Sequence, residues 1–215
     1  MMVETPALSS FVAALDWLSV LIFALTGALV ASRAQLDLVG FVFMAALTAV
    51  GGGTVRDLVL GRDPVFWVAR PEMVVMAGAA AFLVFWTAHL LESRARTIEW
   101  LDAMALSIAV PAGVGVAASA GFGPLICVIA GVVTGCFGGI LRDILGNELP
   151  MVLRRRELYV TAAAGGAIVA VAAIWLGLVR PTALILGGGI VFVLRAGSIL
   201  HGWRLPEYRP RPPRT

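Results

Sequence analysis

Apolar residues occur along this chain in seven long runs, at about 15–32, 38–60, 72–91, 101–119, 123–145, 158–177 and 182–200. Each is close to the roughly 20 residues that an α-helix needs to cross the hydrocarbon of a bilayer. The connections are short, and none is long enough to form a soluble domain. The pattern predicts an all-α polytopic membrane protein with seven transmembrane helices. Residues 1–14 form a segment before the first run. Residues 201–215 end in "RLPEYRPRPPRT", whose proline and arginine content predicts a disordered tail. No basic region precedes the first apolar run, which argues against a cleaved signal peptide.

Displaced by 86 residues, the sequence matches itself. Leu15-Asp16 falls on Leu101-Asp102, Gly27 on Gly113, Thr48 on Thr134, Gly52-Gly53 on Gly138-Gly139, Arg56-Asp57 on Arg142-Asp143 and Pro64 on Pro150. One residue out of step, "RPEMVV" resembles "RRELYV". Shared alanines and valines mean little in apolar helices, but a shared order of Thr, Gly-Gly and Arg-Asp at one ungapped offset is hard to reach by chance. Residues 15–91 and 101–177 therefore read as two copies of a three-helix unit, with a seventh helix at 182–200. Three is odd, so the second copy enters the membrane from the opposite side. The predicted architecture is an inverted 3+3 repeat plus one helix. Proteins built this way commonly place a substrate or ion site near the midplane, between the copies, on discontinuous helices.

The most informative stretch is "AVGGGTVRDLV" at 49–59, with its twin "GVVTGCFGGILRDIL" at 131–145. Glycine weakens a helix by about 1 kcal/mol relative to alanine, and charges inside lipid cost more. Gly51, Gly52 and Gly53 lie about 20 Å along span 2, at or beyond the midplane. Gly138 and Gly139 reach the equivalent depth from the other face. Such clusters predict that helices 2 and 5 kink or locally unwind. Freed carbonyls in lipid must find partners inside the protein or in water, and carbonyl oxygens suit a partly dehydrated cation. Thr48 and Thr134, one turn earlier, can add hydroxyl ligands. For any single glycine, close helix packing is the plainer reading. The duplicated Gly-Gly-x-x-Arg-Asp unit adds a charged pair that packing does not require.

Arg56 and Asp57 are consecutive on a helix, so their side chains are expected to diverge rather than pair; the same holds for Arg142 and Asp143. Under an inverted topology the partner predicted for Arg56 is Asp16, at the outer end of span 1. Symmetry then pairs Arg142 with Asp102, at the inner end of span 4. These residues form two charge layers flanking the glycines, fit for an electrostatic gate or for anchoring near the interface.

Composition narrows the functional classes. Charged residues make up 13% of the chain and the mean hydropathy is +0.96, against roughly 25% charged in a soluble domain. All 16 basic residues are arginines. They lie at loops and helix ends rather than among aromatics, which speaks for topology and against nucleic-acid binding. With the N-terminus outside, the inner side holds Arg33, Arg94, Arg96, Arg154, Arg155, Arg156, Arg204, Arg209, Arg211 and Arg214, and the outer side only Arg62, Arg70 and Arg180. The asymmetry predicts a cytoplasmic C-terminus. Cys127 and Cys136 sit about 13 Å apart along one helix, too far to bridge, and no histidine near them suggests a metal. Gly187–Gly189 and Arg195 in span 7 echo the motif without its aspartate and read as packing. No Gly-x-Ser-x-Gly, His-Glu-x-x-His or phosphate loop is present, so no catalytic residue and no enzymatic activity are expected.

"GGGTVRDLVLGRDPVFW" and "GGILRDILGNELP" resemble the duplicated signature of the bacterial relatives of the trimeric intracellular cation (TRIC) channels. The resemblance covers about residues 15–200. It implies seven transmembrane helices, a homotrimer in the bacterial inner membrane, and a separate pore in each protomer. It also implies conduction of monovalent cations, mainly potassium, with helices 2 and 5 bent at Gly51, Gly52, Gly53, Gly138 and Gly139. No cofactor is implied beyond a permeant K⁺ or Na⁺, and the partners are membrane lipid and further copies of the chain. One departure stands out: the second copy reads Phe137-Gly138-Gly139 and lacks the third glycine, so its kink is expected to be stiffer. Three classes remain. A cation channel uses the glycines, the threonines and the flanking charges. A secondary transporter of a small solute such as an amino acid fits inverted repeats with broken helices equally well, and related bacterial sequences carry the label of glycine transporters. A membrane scaffold leaves the repeated polar motif unexplained.

Overall fold

The structure is a computed structural model and describes residues 6–91, 93–154 and 158–206. Those residues form α1 (Pro6–Arg33), α2 (Leu38–Val59), α3 (Phe66–Ala69), α4 (Glu72–Thr87), α5 (Arg94–Ser119), α6 (Pro124–Leu145), α7 (Val160–Trp175) and α8 (Arg180–His201), with 3₁₀ turns at Ala88–Leu90 and Met151–Leu153. Six helical segments are long and apolar enough to cross a membrane: α1, α2, α4 with its 3₁₀ extension, α5, α6 and α8. The run expected at 158–177 yields α7, apolar but only 16 residues long, or about 24 Å. It stops early because Gly177 turns the chain at φ +87°.

Helix starts depart most from expectation. The segment before the first run is not separate, because α1 begins at Pro6. Proline suits the first turn of a helix, where its missing N–H would be unpaired anyway. The Ser9 and Ser10 hydroxyls donate to the Pro6 carbonyl, and Leu8 and Val12 are buried. Similarly, α5 starts at Arg94 rather than 101, after the Ser93 hydroxyl accepts the Arg96 N–H at 3.4 Å. At the other end, His201 closes α8 and Gly202 adopts a left-handed φ of +65°. Residues 202–206 are not helical, and the rest of the tail expected to be disordered lies outside the described residues, as do Arg155 and Arg156.

At the centre, α1, α2, α5 and α6 pack against one another, α4 covers α1 and α2, and α7 and α8 cover α5 and α6 on the opposite flank. The order is antiparallel. Val12, early in α1, meets Gly115, late in α5. Hence the starts of α1, α4, α6 and α8 share one side, here the N-terminal face, and their ends share the C-terminal face.

Gly51–Gly53 and Gly138–Gly139 lie within continuous α-helix, so the unwinding expected of helices 2 and 5 (α2 and α6) is absent. The glycines serve a different purpose. A Cβ on Gly52 would collide with the Thr134 carbonyl oxygen, and one on Gly138 would lie 2.5 Å from the Thr48 carbonyl oxygen. The two backbones therefore touch where the motif copies cross, which only glycine permits. Thr48 and Thr134 lie at the same crossing. Each hydroxyl donates to the carbonyl four residues earlier, Met44 or Ala130, at 2.6 Å. Each is also covered by the glycine of the neighbouring helix, Gly27 or Gly113.

Gly138→Val is expected to destabilise the fold by about 1–3 kcal/mol or more, since overpacking against backbone has no rotamer escape. Gly189→Ala, where nothing lies within 4 Å of the added carbon, should stay within about 0.5 kcal/mol. Thermal unfolding of both variants in detergent checks the contrast; equal Tm values would contradict the close crossing.

Candidate functional site

One guanidinium and two carboxylates meet in each half of the molecule. Arg56 of α2 places Nη1 2.8 Å from Asp16 Oδ1 on α1 and Nε 2.9 Å from Asp57 Oδ1. In the other half, Arg142 of α6 places Nη1 2.7 Å from Asp102 Oδ1 on α5 and Nη2 2.8 Å from Asp143 Oδ1. The cross-helix pairs expected from the 86-residue offset are therefore formed. The expected divergence of consecutive Arg and Asp is corrected: each arginine also bonds the aspartate that follows it. Cβ directions do diverge, but the arginine side chain is long enough for Nε to swing back while a terminal nitrogen reaches the next helix. The fork of donors suits two carboxylates at once.

The aspartates also organise the chain beyond each helix. Asp57 Oδ2 accepts the Phe66 backbone N–H at 2.7 Å, and Asp143 Oδ2 accepts that of Met151 at 2.8 Å. Each carboxylate thus ties the connection after its helix back beneath the arginine. Phe66 then lies under Arg56, ring centroid 5.2 Å from Cζ, and Met151 Sδ accepts from Arg142 Nη2 at 3.7 Å. Both arginines are fully buried. A lone buried charge would be prohibitive, so the carboxylates are what make the arginines tolerable at this depth. Asp16 is also deeper than expected. With α1 starting at Pro6, it lies ten residues in, about 15 Å along the axis.

The halves differ in access. On the N-terminal face a cavity of about 360 Å³ opens between α1, the α2–α4 connection and the end of α5, lined by Ser9, Asp16, Arg62, Phe66, Arg70 and Ser119 among others. Asp16 forms part of its wall, its side chain 10% exposed. Arg62 stands in the same cavity and donates to Asp57 at 3.1 Å. On the C-terminal side, Asp102 is fully buried. The Tyr159 hydroxyl donates to its Oδ1 at 3.3 Å, and Arg195 of α8 brings Nη2 to 4.0 Å from its Oδ2. The Arg195 guanidinium stacks over the Tyr159 ring, 4.9 Å from the centroid.

Sequence reasoning paired Asp16 with Arg56 and Asp102 with Arg142, as the structure does; it is the structure that brings Gly51, Gly52, Gly138, Thr48 and Thr134 to one crossing. Sequence reasoning missed Arg195 and Tyr159. A signal for Arg195 did exist, because an ionisable residue inside a transmembrane segment is a site candidate by default. The lack of a following aspartate led it to be read as packing, yet an aspartate from another helix, Asp102, comes within 4.0 Å of it.

The family model described as "Glycine transporter" matches residues 13–89 and again 99–175. The chain is 38% identical over 199 residues to the UPF0126 inner membrane protein YadS of Escherichia coli K12, covering 90% of this chain and 94% of that protein. Among solved structures, it resembles the TRIC trimeric intracellular cation channel orthologue from Rhodobacter sphaeroides, with 48% identity, a TM-score of 0.85, and 88% and 98% of the two chains covered. A structure described as giving the basis for conductance through TRIC cation channels matches with 29% identity, a TM-score of 0.82, and coverage of 94% and 98%.

Asp102→Ala is expected to cost about 3–5 kcal/mol, because it takes one of two carboxylates from the fully buried Arg142 and the carboxylate facing the buried Arg195. Asp16→Ala should cost distinctly less, since truncating this side chain at the cavity wall would open Arg56 to water. Unfolding temperatures of the two purified variants, side by side, check this; equal losses would contradict the difference in access.

Proposed function

The chain belongs to the bacterial branch of the trimeric intracellular cation (TRIC) channel family, and from that premise we propose that it is a potassium-preferring channel for monovalent cations. Each protomer of a homotrimer carries its own path. The path enters the cavity beside Asp16, runs to the crossing of α2 and α6 at Gly51–Gly53 and Gly138–Gly139, and leaves past Asp102. Arg56–Asp57 and Arg142–Asp143 are the charge layers on either side. The chain crosses the bacterial inner membrane seven times, α7 included, with its N-terminus outside and its C-terminus in the cytoplasm.

The observation that carries this reading is the pair of matching Arg–Asp networks set on opposite sides of one glycine crossing (Arg56–Asp16 at 2.8 Å, Arg142–Asp102 at 2.7 Å). Conduction asks α2 and α6 to part at that crossing. Parting there would turn the Thr48 and Thr134 carbonyl oxygens, which now face glycine, toward the opening. Such oxygens replace part of a cation's hydration shell. The networks hold the helix ends to their neighbours while the middle moves. The names of the matched solved proteins support the cation and trimer assignments, and that of the Escherichia coli relative supports the inner membrane.

A second reading has one observation in its favour. A cavity that reaches one charge network while the other is buried is also the geometry of a transporter holding one gate open, as the family model's description would have it.

Single-channel recording of purified protein in a planar bilayer under a potassium chloride gradient separates the two. Discrete openings that reverse near the potassium potential are expected. A silent bilayer, with saturable solute uptake into vesicles by the same preparation, would overturn the channel in favour of a transporter.

A further inference from the structure

The two halves hold the same charges from different sources. The N-terminal half contains Asp16, Asp57, Arg56 and Arg62, the last reaching Asp57 at 3.1 Å. The position 86 residues after Arg62 is Glu148, an opposite charge. Glu148 turns away from Asp143 and pairs with Arg33 at 3.1 Å and Arg154 at 3.2 Å. By the repeat alone, then, the described residues of this network in the second half would be two aspartates and one arginine. Arg195 makes up the difference, and it comes from α8, the helix outside the repeat.

The substitution is not equivalent in access. Arg62 stands at the cavity wall with 41% of its side chain exposed, free to move outward into water. Arg195 is fully buried, stacked on Tyr159 and facing Asp102. Its helix is also held firmly. The Ser198 hydroxyl, one turn on, accepts the Leu158 N–H at 3.1 Å, which pins the segment bearing Tyr159 to α8. Earlier in α8, Gly188 lies against the Ser107 carbonyl of α5. Pro111, four residues after Ser107, has no N–H to occupy that carbonyl. Thus α5, α8 and the start of α7 converge on a single guanidinium set against an aspartate.

We propose that Arg195 is a tethered cation that fills the C-terminal half of the conduction path. It occupies at Asp102 the position that a permeant ion would otherwise take, and so limits conductance. The proposal rests on the cation-path reading above. Under it, α8 breaks the symmetry of two otherwise matching halves, so that one mouth opens to water and the other is plugged from within. A guanidinium held over an aromatic ring beside a carboxylate gains both cation–π and ionic stabilisation. The site left by truncating it should therefore accept a free guanidinium ion.

The test is Arg195→Ala with guanidinium chloride as the probe. Expected are a conductance rise of roughly twofold or more over wild type, and block by millimolar guanidinium at least about tenfold stronger than in wild type. Guanidinium should also raise the variant's Tm in detergent, relative to sodium chloride at equal ionic strength, and leave the wild-type Tm unchanged. If Arg195→Ala does not fold, Arg195→Gln, closer in shape, carries the same comparison. A folded variant with wild-type conductance and wild-type guanidinium sensitivity overturns the proposal. If wild type and variant both stay silent in the bilayer, the cation-path reading fails. The Tm then decides occupancy by itself: a guanidinium-specific rise supports the tethered cation, and no rise overturns it.

Discussion

A guanidinium buried in a membrane protein must bring its counter-charges with it, and much of this architecture follows from that constraint. Arg56 and Arg142 sit near the ends of α2 and α6, fully shielded from solvent. Each takes one carboxylate from its own helix and one from the neighbour. The cross-helix bond fixes how α1 lies on α2 and α5 on α6. The second oxygen of the local aspartate captures a backbone N–H in the following connection. Helix register, helix neighbour and loop path are thus set by one group in each half.

Between these two anchors the helices are held by contact rather than by charge. Gly52 and Gly138 let backbone meet backbone, and Gly27 and Gly113 let α1 and α5 close over the threonines. Among the described residues, no side-chain hydrogen bond or ion pair joins α2 to α6 at this crossing. Ion pairs hold the ends of α2 and α6 to α1 and α5, while small-residue packing alone joins α2 to α6 in the middle. Close contact at the centre and ion-pair anchors at the rims are consequences of the same motif, Gly-Gly-x-x-Arg-Asp, read twice in opposite directions.

The offset of 86 residues made the partners Asp16–Arg56 and Asp102–Arg142 legible before any coordinates, because inversion puts equivalent residues at opposite depths and leaves each arginine one plausible acid. Other features were not legible. That Asp57 and Asp143 would fold back onto their own arginines depends on rotamers, which no spacing reveals. That the glycines serve contact instead of unwinding depends on the partner helix, since the same residues satisfy either need. The start of α1 at Pro6 escaped a search for apolar runs because two serines, Ser9 and Ser10, interrupt hydropathy without interrupting a helix.

By itself the sequence determined the class of molecule, the doubled three-helix unit, its inversion, and the buried charges of the repeat itself, Asp16, Arg56, Asp102 and Arg142. Those properties are local or periodic, and lipid enforces them on any chain of this composition. Only the tertiary structure decided that the halves are unequal. Asp16 borders a cavity while Asp102 is sealed under Tyr159 and Arg195. The physical reason is that α8 lies outside the repeat: its arginine has no aspartate beside it in sequence and acquires one only by packing against α5.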